Sequence, residues 1–557
     1  MSGIAARLTK LLVLATLALV VTASGGNAAG PVRTRILGVV PHASGASTPA
    51  TPFLHALPYS LGLAGPTTLT VDAKYESLIN QYFTNVALDS GGNQNVYSVA
   101  TQYFDNPGAV HIQYQSTFGG SYVDHDPLPA NGCDDAHNGL QDTYCLTDQQ
   151  LENEIQAVLT ATGWTGGLGH LFFLLTPNGV GSCFDGTSRD CSTNTFCAYH
   201  SAFGTVSDPI IYANEPYEGP TPGCTNSTDQ GFPNNDVDAE TTINTISHEH
   251  NEAITDPLGN AWIANDGPMG QPADENGDLC AYGFGTPLGG TPGTTAYNQV
   301  INGHHYDLQQ EWSNTDNGCI QHVGGTPPSP PTFPGASGPL VYQPQAGPVM
   351  HTNTTYAIYW LPTPGNTSLP VVTGSALVNH TLTTSAGTWN DGATGHTYRW
   401  QRCSTTGTGC ADIPGATTTT YELTAADGGH TVRSSVSATN VNGASAPTAS
   451  AATAVVIDVP GATSLPHISG RARVGKKLSG SHGAWTYSPA SFSVQWLRCN
   501  AHGRRCSSIH HATHSTYKLT KHDAGHRLRL RVTATNAAGS TVALSKPSAR
   551  VPAAKHH

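Results

Sequence analysis

The chain has 557 residues, which exceeds what one hydrophobic core can organise and predicts roughly three or four domains. Only 11% of the residues are charged, and glycine and proline are frequent, as is typical of turn-rich extracellular β proteins. The formal net charge is −13, yet 15 Lys or Arg residues and one acid, Asp523, lie from Arg471 onward. This basic tail predicts contact with an anionic wall polymer or surface; the alternatives are plain solubility and docking onto the acidic front of the same chain. No basic groove with interleaved aromatic residues occurs, so nucleic acid is not an expected partner.

The N-terminus has the parts of a secretory signal peptide. Arg7 and Lys10 supply the positive region, residues 11–21 are apolar, and small residues follow. The apolar run is shorter than the about 20 residues that a membrane-spanning helix needs; a retained anchor is the alternative. We predict that residues 1–29 are a signal peptide and that the protein is secreted, extracellular or cell-wall associated, without stable membrane insertion.

The cysteine content fits an oxidising compartment, because the count is even. No C-x-x-C pair occurs, which argues against a cysteine-based zinc site or a redox motif. Spacing does not fix connectivity; we expect the twelve cysteines to form disulfides between neighbours in chain order: Cys133, Cys145, Cys183, Cys191, Cys197, Cys224, Cys280, Cys319, Cys403, Cys410, Cys499 and Cys506.

The tail contains an internal repeat with a period of 96 residues and no insertion. The recurring landmarks of the first copy are Trp389, Trp400, Cys403, Cys410, Tyr421, Asp427 and Asn440. Short runs that alternate apolar and polar residues, separated by Gly and Asn turns, predict two all-β sandwiches over residues 367–457 and 463–550. The cysteines of each copy are seven apart and should close a local hairpin. These modules look like the immunoglobulin-like modules of secreted bacterial proteins, and they serve either as spacers or as ligand-binding units.

The front domain, residues 30–323, mixes helices and strands. Helical spacing of apolar residues predicts a helix over Asp72–Leu88, and Thr147 should cap a second one that runs to Thr162. A third helix should begin near Asp236 and end at Pro257, because proline cannot continue it. Strand-like runs lie between, including residues 95–104. The pattern predicts an α/β layered domain, and the Pro-, Gly- and Ser-rich residues 324–338 predict a linker after it.

The third helix carries the pattern most indicative of chemistry, SHEHNEAITDP. His248 and Glu252 are four residues apart, so their side chains share one helix face and can bind one metal ion. Zn²⁺ accepts such a mixed shell of nitrogen and oxygen ligands. Glu249 takes the position of the general base in zinc peptidases of the HExxH type, although Glu252 replaces the second histidine. The alternative is a solvated polar helix end without function.

A catalytic zinc site needs a third protein ligand and an open position. Asp256, at the helix end, and Glu275, in the acidic loop before Cys280, are equally good candidates for that ligand. The acidic loop from Asp274 to Asp278 alternatively predicts a Ca²⁺ site, because calcium prefers several oxygen ligands.

Long segments of the front domain resemble the EXORDIUM, or phosphate-induced, family in its bacterial branch. The segments are YESLINQYFTNVA, NVYSVATQYFDN, FFLLTPNGVGSCFD, CAYHS, SHEHNEAITDPLGNAW, ENGDLCAYGFGTPLGG and YNQVINGHHYDLQQEWSN, which together cover nearly the whole domain. The resemblance implies a secreted, wall-associated protein. The HE-x-x-E-x-x-TDP pattern also resembles secreted zincin-like metalloproteins. Plant EXORDIUM members keep the TDP-like turn of this pattern but lack its histidine and glutamates. The resemblance therefore implies that the fold can exist without metal chemistry.

One segment stands out of the order expected from this resemblance. Bacterial relatives begin with a strand similar to GPVMHTNTTYAIYWLP, whereas here it follows the domain, at residues 347–362. We therefore predict that residues 339–364 return to the sheet of the front domain, as in a circular permutation.

These patterns lead to two functional hypotheses. The first is a secreted zinc-dependent metallohydrolase of the peptidase type, whose immunoglobulin-like modules position it on an extracellular protein. The second is a non-catalytic wall-associated protein of the EXORDIUM type that binds wall polysaccharide or matrix.

Overall fold

The computed structural model describes residues 36–41, 69, 71, 73–105, 110–135, 142, 144–187, 190–217, 224, 230–264, 275–325, 329–330, 338–343 and 347–553. The predicted signal peptide, most of the predicted linker, and Asp274 lie outside these residues. Over the described ranges, none of the helices combines the length and apolarity that crossing a membrane requires.

Three α-helices occur in the described residues, all in the front domain: α1 (Ala73–Leu88), α2 (Asp148–Thr162) and α3 (Val237–Thr255). Their bounds agree with the sequence predictions because the signals are local. Thr147 and Gln150 form a capping box at the start of α2, and the Asp236 side chain accepts a hydrogen bond from the Ala239 amide at the start of α3.

The prediction of a strand over residues 95–104 was wrong, because Val96–Gln102 forms a 3-10 helix. The Asn95 side chain accepts from the Tyr97 amide, and the Ser98 hydroxyl donates to the Asn95 carbonyl. These local side-chain bonds offer the backbone an alternative to sheet pairing, which apolar alternation alone does not reveal.

Ahead of the repeats, the part of the chain that the structure describes contains sixteen strands: β1 (Ile36–Pro41), β2 (Phe104–Asp105), β3 (Val110–His111), β4 (Ser116–Asp124), β5 (Tyr144–Thr147), β6 (His170–Leu175), β7 (Val180–Cys183), β8 (Phe196–Thr205), β9 (Asp208–Glu215), β10 (Trp262–Ala264), β11 (Gln299–Ile301), β12 (His304–Tyr306), β13 (Glu311–Ser313), β14 (Gly318–Ile320), β15 (Leu340–Tyr342) and β16 (Asn353–Trp360). Six of them form one sheet in the order β1-β8-β9-β6-β16-β4. The pairs β9-β6, β6-β16 and β16-β4 are parallel, whereas β8 runs antiparallel to β9, and β1 antiparallel to β8.

Strand β16 lies inside this sheet, between β4 and β6. It belongs to the segment for which the sequence predicted a return to the front domain. Ala357 and Tyr359 pack into the core on one face, and Ile358 and Trp360 into the core on the other. A strand that is buried on both faces must be apolar in both of its side-chain rows.

Helices cover both faces of the sheet. The core on one face contains residues of α1 and α3, and the core on the other face contains residues of α2. Strand β6 serves both cores, because Leu171 and Phe173 point to one side and Phe172 and Leu174 to the other. This arrangement fixes α3 against the face of the sheet near β8 and β9.

The two repeats are β-sandwiches, here called module 1 (residues 367–457) and module 2 (residues 463–550). Module 1 contains β17 (Asn366–Ser368), β18 (Val372–Thr373), β19 (Thr381–Thr384), β20 (Thr388–Trp389), β21 (Gly395–Cys403), β22 (Ala411–Asp412), β23 (Thr420–Glu422), β24 (Thr431–Asn440), β25 (Gly443–Ala444) and β26 (Thr448–Ala449). Module 2 contains β27 (Ala462–Ser464), β28 (His467–Ser469), β29 (Lys477–Ser481), β30 (Ala484–Trp485), β31 (Ser491–Cys499), β32 (Ser507–Ser508), β33 (Thr516–Lys518), β34 (Arg527–Asn536) and β35 (Gly539–Leu544).

Equivalent contacts recur 96 residues apart in the two modules. Arg402 binds the buried Asp427 at 2.7 Å, and Arg498 binds Asp523 at the same distance. Each aspartate also accepts a hydrogen bond from a tyrosine hydroxyl of its own module. The most buried large side chain of each core is a tryptophan, Trp400 or Trp496.

Six disulfides join the cysteines in chain order: Cys133–Cys145, Cys183–Cys191, Cys197–Cys224, Cys280–Cys319, Cys403–Cys410 and Cys499–Cys506. The two in the modules close local hairpins. A chain with this many disulfides is typical of an extracellular protein, because cytosolic thiols are kept reduced.

Candidate metal centre

Helix α3 is a polar helix that is buried along nearly its whole length. His248, Glu249 and Glu252 are 0% exposed, because the sheet packs on one side of the helix and the loops around Asp278 pack on the other. Buried carboxylates are costly unless a charge or hydrogen bonds compensate them. A solvated polar helix end is therefore excluded as an explanation of this pattern.

His248 and Glu252 meet as their spacing predicts. His248 Nε2 lies 2.8 Å from Glu252 Oε1 and 3.6 Å from Asp278 Oδ1, and one ligand atom of each residue lies within 4.8 Å of the others. The Asp278 amide donates to Glu252 Oε1 at 3.0 Å. A Cβ on Gly277 would approach Glu252 Oε1 to 2.9 Å, so only glycine lets this turn come so close.

His200, on β8, is a site residue that sequence reasoning missed. Its Nδ1 lies 2.9 Å from Glu249 Oε2 and 3.7 Å from Glu252 Oε2, and these three residues form a second group whose ligand atoms converge within 4.8 Å. No motif spacing links His200 to α3. The available signal was a histidine within the largely apolar strand segment FCAYHSAF, and this histidine is fully buried.

Asp256 and Glu275, the two predicted third ligands, lie beside these groups rather than in them. Asp256 Oδ1 accepts hydrogen bonds from the amides of Asn260 and Ala261, at 2.6 and 2.8 Å, and so terminates α3. Glu275 Oε2 lies 3.7 Å from His200 Nε2. Within the described residues, the group around His248 is completed by Asp278 instead.

The cluster holds more acidic groups than its two imidazoles can neutralise. Burial, and then the charge of Glu252, raise the pKa of Glu275 well above its ordinary value and that of Asp278 to about 6. Burial opposes protonation of His248, but Glu252 and Asp278 outweigh it and raise its pKa well above the ordinary value. Burial lowers the pKa of His200, which therefore stays neutral and donates from Nδ1 to Glu249.

The donor set fits a divalent cation. Glu252 Oε2, Glu275 Oε2 and Glu311 Oε1 are buried oxygens without a hydrogen-bond partner in the described part of the chain. An ion with nitrogen and oxygen ligands would compensate them, as Zn²⁺ does elsewhere.

Gln309 contacts the Nδ1 side of the His248 ring, opposite the Nε2 atom that faces Glu252. Its Nε2 lies 2.8 Å from His248 Nδ1 and 3.1 Å from the Gly277 carbonyl. An imidazole that ligates a metal through Nε2 carries its proton on Nδ1 and needs an acceptor there. Gln309 can supply that acceptor by turning its amide, since its oxygen and nitrogen are exchanged by a simple flip.

The other histidine of the motif, His250, has a structural role. Its Nδ1 lies 3.0 Å from the Tyr97 hydroxyl, and its Nε2 lies 3.0 Å from Asn353 Oδ1 at the start of β16. It therefore ties α3 to the sheet on the face away from His248.

Strand β1 covers the centre. It pairs with β8 through Val39 opposite Tyr199 and Ile36 opposite Ser201, so its backbone passes the position of His200. It also lies against α3 and the 3-10 helix Asp278–Cys280, the two elements that carry the other ligand candidates. This position explains in part why the centre is sealed from solvent.

Comparison with known proteins adds little to this geometry. No family model matches the chain, and no curated protein matches it either. Solved structures similar to it include the FN1–FN3 domains of chicken CNTN1, at 14% identity and a TM-score of 0.21, over 34% of this chain and 68% of that one. Domains A168–A170 of titin match at 16% identity and a TM-score of 0.18, over 38% of this chain and 73% of that one. At these scores neither similarity carries an argument about fold or function.

Proposed function

We propose that the protein is a secreted, zincin-like metallohydrolase of the peptidase type. The observation that carries the proposal is the convergence of Asp278 with His248 and Glu252 of α3, the helix that also presents Glu249. The imidazole of His248 in the ligand set favours Zn²⁺ over Ca²⁺, which prefers oxygen ligands alone. Zinc, when bound, would supply Lewis-acid chemistry: it polarises a carbonyl and makes water more acidic.

The residues around the centre would bind the ion, transfer the proton and position the base. His248, Glu252 and Asp278 would hold the ion, and Glu249 would accept the proton of the water that attacks an amide carbonyl and pass it to the leaving amine. His200 would position that base, because its Nδ1 donates to Glu249 Oε2 at 2.9 Å. This hydrogen bond would fix the orientation of the Glu249 carboxylate, so that Oε1 would be the oxygen that accepts the proton from water.

Access requires that β1 leave the edge of β8. The ligand candidates are fully buried with β1 in place, so a substrate cannot reach them in this state. A released β8 offers free backbone groups to which an extended peptide can add as a strand. The covered state would then be a latent form of the enzyme.

Two measurements test this proposal together. Elemental analysis of the purified protein should give zinc near one equivalent, and Glu249→Gln should retain it while peptide hydrolysis falls by about 10²–10⁴-fold. Glu252→Gln should lose the metal, and Glu422→Gln, an exposed module 1 substitution, should change neither. Two equivalents of zinc would instead make Glu249 a ligand through its group with His200, and no zinc at all would refute the proposal.

A second candidate is a non-catalytic, wall-associated protein of the EXORDIUM type with a structural cation. The complete burial of the centre favours it, because structural zinc sites are closed. It predicts that a form with residues 1–41 removed binds zinc but hydrolyses no peptide in a mixed library. The enzyme hypothesis predicts hydrolysis by that same form.

A further inference from the structure

The two modules share one fold but differ greatly in charge. Module 2 carries 14 Lys or Arg residues and one acidic residue, whereas module 1 carries three arginines and four acidic residues. The single acid, Asp523, is buried and already paired with Arg498. Fold stability does not require this charge, because module 1 builds the same sandwich without it. Solubility is a poor explanation as well, because these positive charges bring the negative net charge of the chain, −13, closer to zero.

Six of these basic residues gather at one end of the three-stranded sheet β28-β29-β33. They lie in the turn between β28 and β29, at the start of β29, and at the end of β33 and just after it: Arg471, Arg473, Lys476, Lys477, Lys518 and Lys521. All six are exposed. The Leu519 amide donates to the Lys476 carbonyl, and the Gly475 amide donates to the Leu519 carbonyl, so the two segments are held together. We call this set the basic end of module 2.

The basic end contains an unfavourable contact. Lys477 lies directly opposite Lys518 in the register of β29 and β33. Like charges directly opposite each other destabilise a sheet. In module 1 the equivalent pair is Thr381 opposite Glu422, which has no such repulsion. A bound anion would relieve the repulsion between the two lysines.

We infer that the basic end of module 2 binds a linear poly(polyol phosphate), an anionic polymer of the kind found in cell walls. Arginine forks match phosphate oxygens in a bidentate manner, and lysines add point charges along the chain. The inference does not depend on the proposed hydrolase activity.

The test is binding of the full-length protein to immobilised poly(glycerol phosphate). For about six phosphate contacts, the logarithm of the affinity should fall with the logarithm of salt concentration with a slope of about −4. Lys477→Thr combined with Lys518→Thr should weaken binding by at least about tenfold and reduce the slope to about −3. The thermal stability of module 2 should not fall, since Thr is already the module 1 residue at the first position.

A matched control removes the same charge elsewhere. Arg531→Ser combined with Lys546→Ser introduces the residues that module 1 has at Ser435 and Ser450, on the other sheet of the sandwich. This variant should bind within about twofold of the parent protein at equal salt.

Several results would overturn the inference. Equal losses in both double variants would show a general charge effect rather than a site. Equal or tighter binding to heparin, poly-L-glutamate or single-stranded DNA would assign a different polymer. Salt-sensitive self-association that the lysine substitutions abolish would make the acidic front domain of a second copy the occupant.

Discussion

The stability of the metal-free front domain should fall as pH rises from 7 to 8.5, opposite to the usual behaviour of a protein with ionised surface carboxylates. Burial and neighbouring acids raise the pKa of native Glu275 well above 4.5, so the native state keeps this proton to a higher pH than the unfolded chain does. Native His248 likewise holds a proton that an unfolded histidine, with an ordinary value of 6.5, has mostly released. The native state therefore binds more protons, and raising the pH favours the unfolded chain.

The magnitude follows from the number of extra protons. Each proton that only the native state holds contributes about 1.4 kcal/mol per pH unit to the slope of the unfolding free energy. The pKa values of His200 and His250 are lowered in the native state, so these two residues make stability rise with pH. They do so only below about pH 6.5, where an unfolded histidine is protonated. A loss of at least about 1.4 kcal/mol per pH unit is therefore expected above pH 7. Zinc replaces these protons, so the metal-loaded protein should lose less stability than the metal-free protein over the same pH range.

The assay is urea unfolding of the metal-free protein, read from α3 peptides by pulsed hydrogen exchange. Glu275→Gln cannot ionise; it should reduce the slope by about one proton and stabilise the domain at pH 8.5. Glu422→Gln, on module 1, should leave the slope unchanged. A metal-free protein whose stability is flat or rises between pH 7 and 8.5 would refute the description of the centre as an uncompensated acidic cluster.

Three further predictions concern other contacts. Gln309→Ala should lower zinc affinity by about 10–100-fold in competition with a chelator, because His248 loses its supporting hydrogen bond; unchanged affinity would exclude that role. Removal of residues 1–41 should accelerate zinc loss to excess chelator by uncovering β8, whereas an equal rate in both proteins would show that β1 does not seal the centre. Asp427→Ala and Asp523→Ala should each destabilise their own module by about 3 kcal/mol in calorimetry, because each leaves a partly buried arginine unpaired; unequal losses would contradict the equivalence of the modules.

The elements that were predicted correctly are those that depend on residues close together in the sequence. The bounds of α2 and α3 follow from Thr147 and Asp236 as caps and from the apolar spacing of each helix, which depend on residues a few positions apart. The spacing of His248 and Glu252 likewise defines one helix face, and the structure places their ligand atoms 2.8 Å apart. The 96-residue repeat reappears as equivalent strands and equivalent buried pairs.

The 3-10 helix at Val96–Gln102 shows where local reasoning was insufficient. Its apolar residues alternate as in a strand, but the Asn95 and Ser98 side chains bond to nearby backbone groups and tighten the turn. Two short side chains therefore decide the conformation of a segment whose apolar pattern points elsewhere.

By itself, the sequence determined the helices, the repeat and the pairing of an imidazole with a carboxylate on α3, because each depends on a fixed local period. Only the tertiary structure decided that His200 and Asp278 join the cluster and that β1 covers it. Asp278 lies 26 positions from Glu252 in the chain, and His200 lies 49 positions from Glu249. Strand order and loop placement bring these residues together, and no local periodicity encodes such distances.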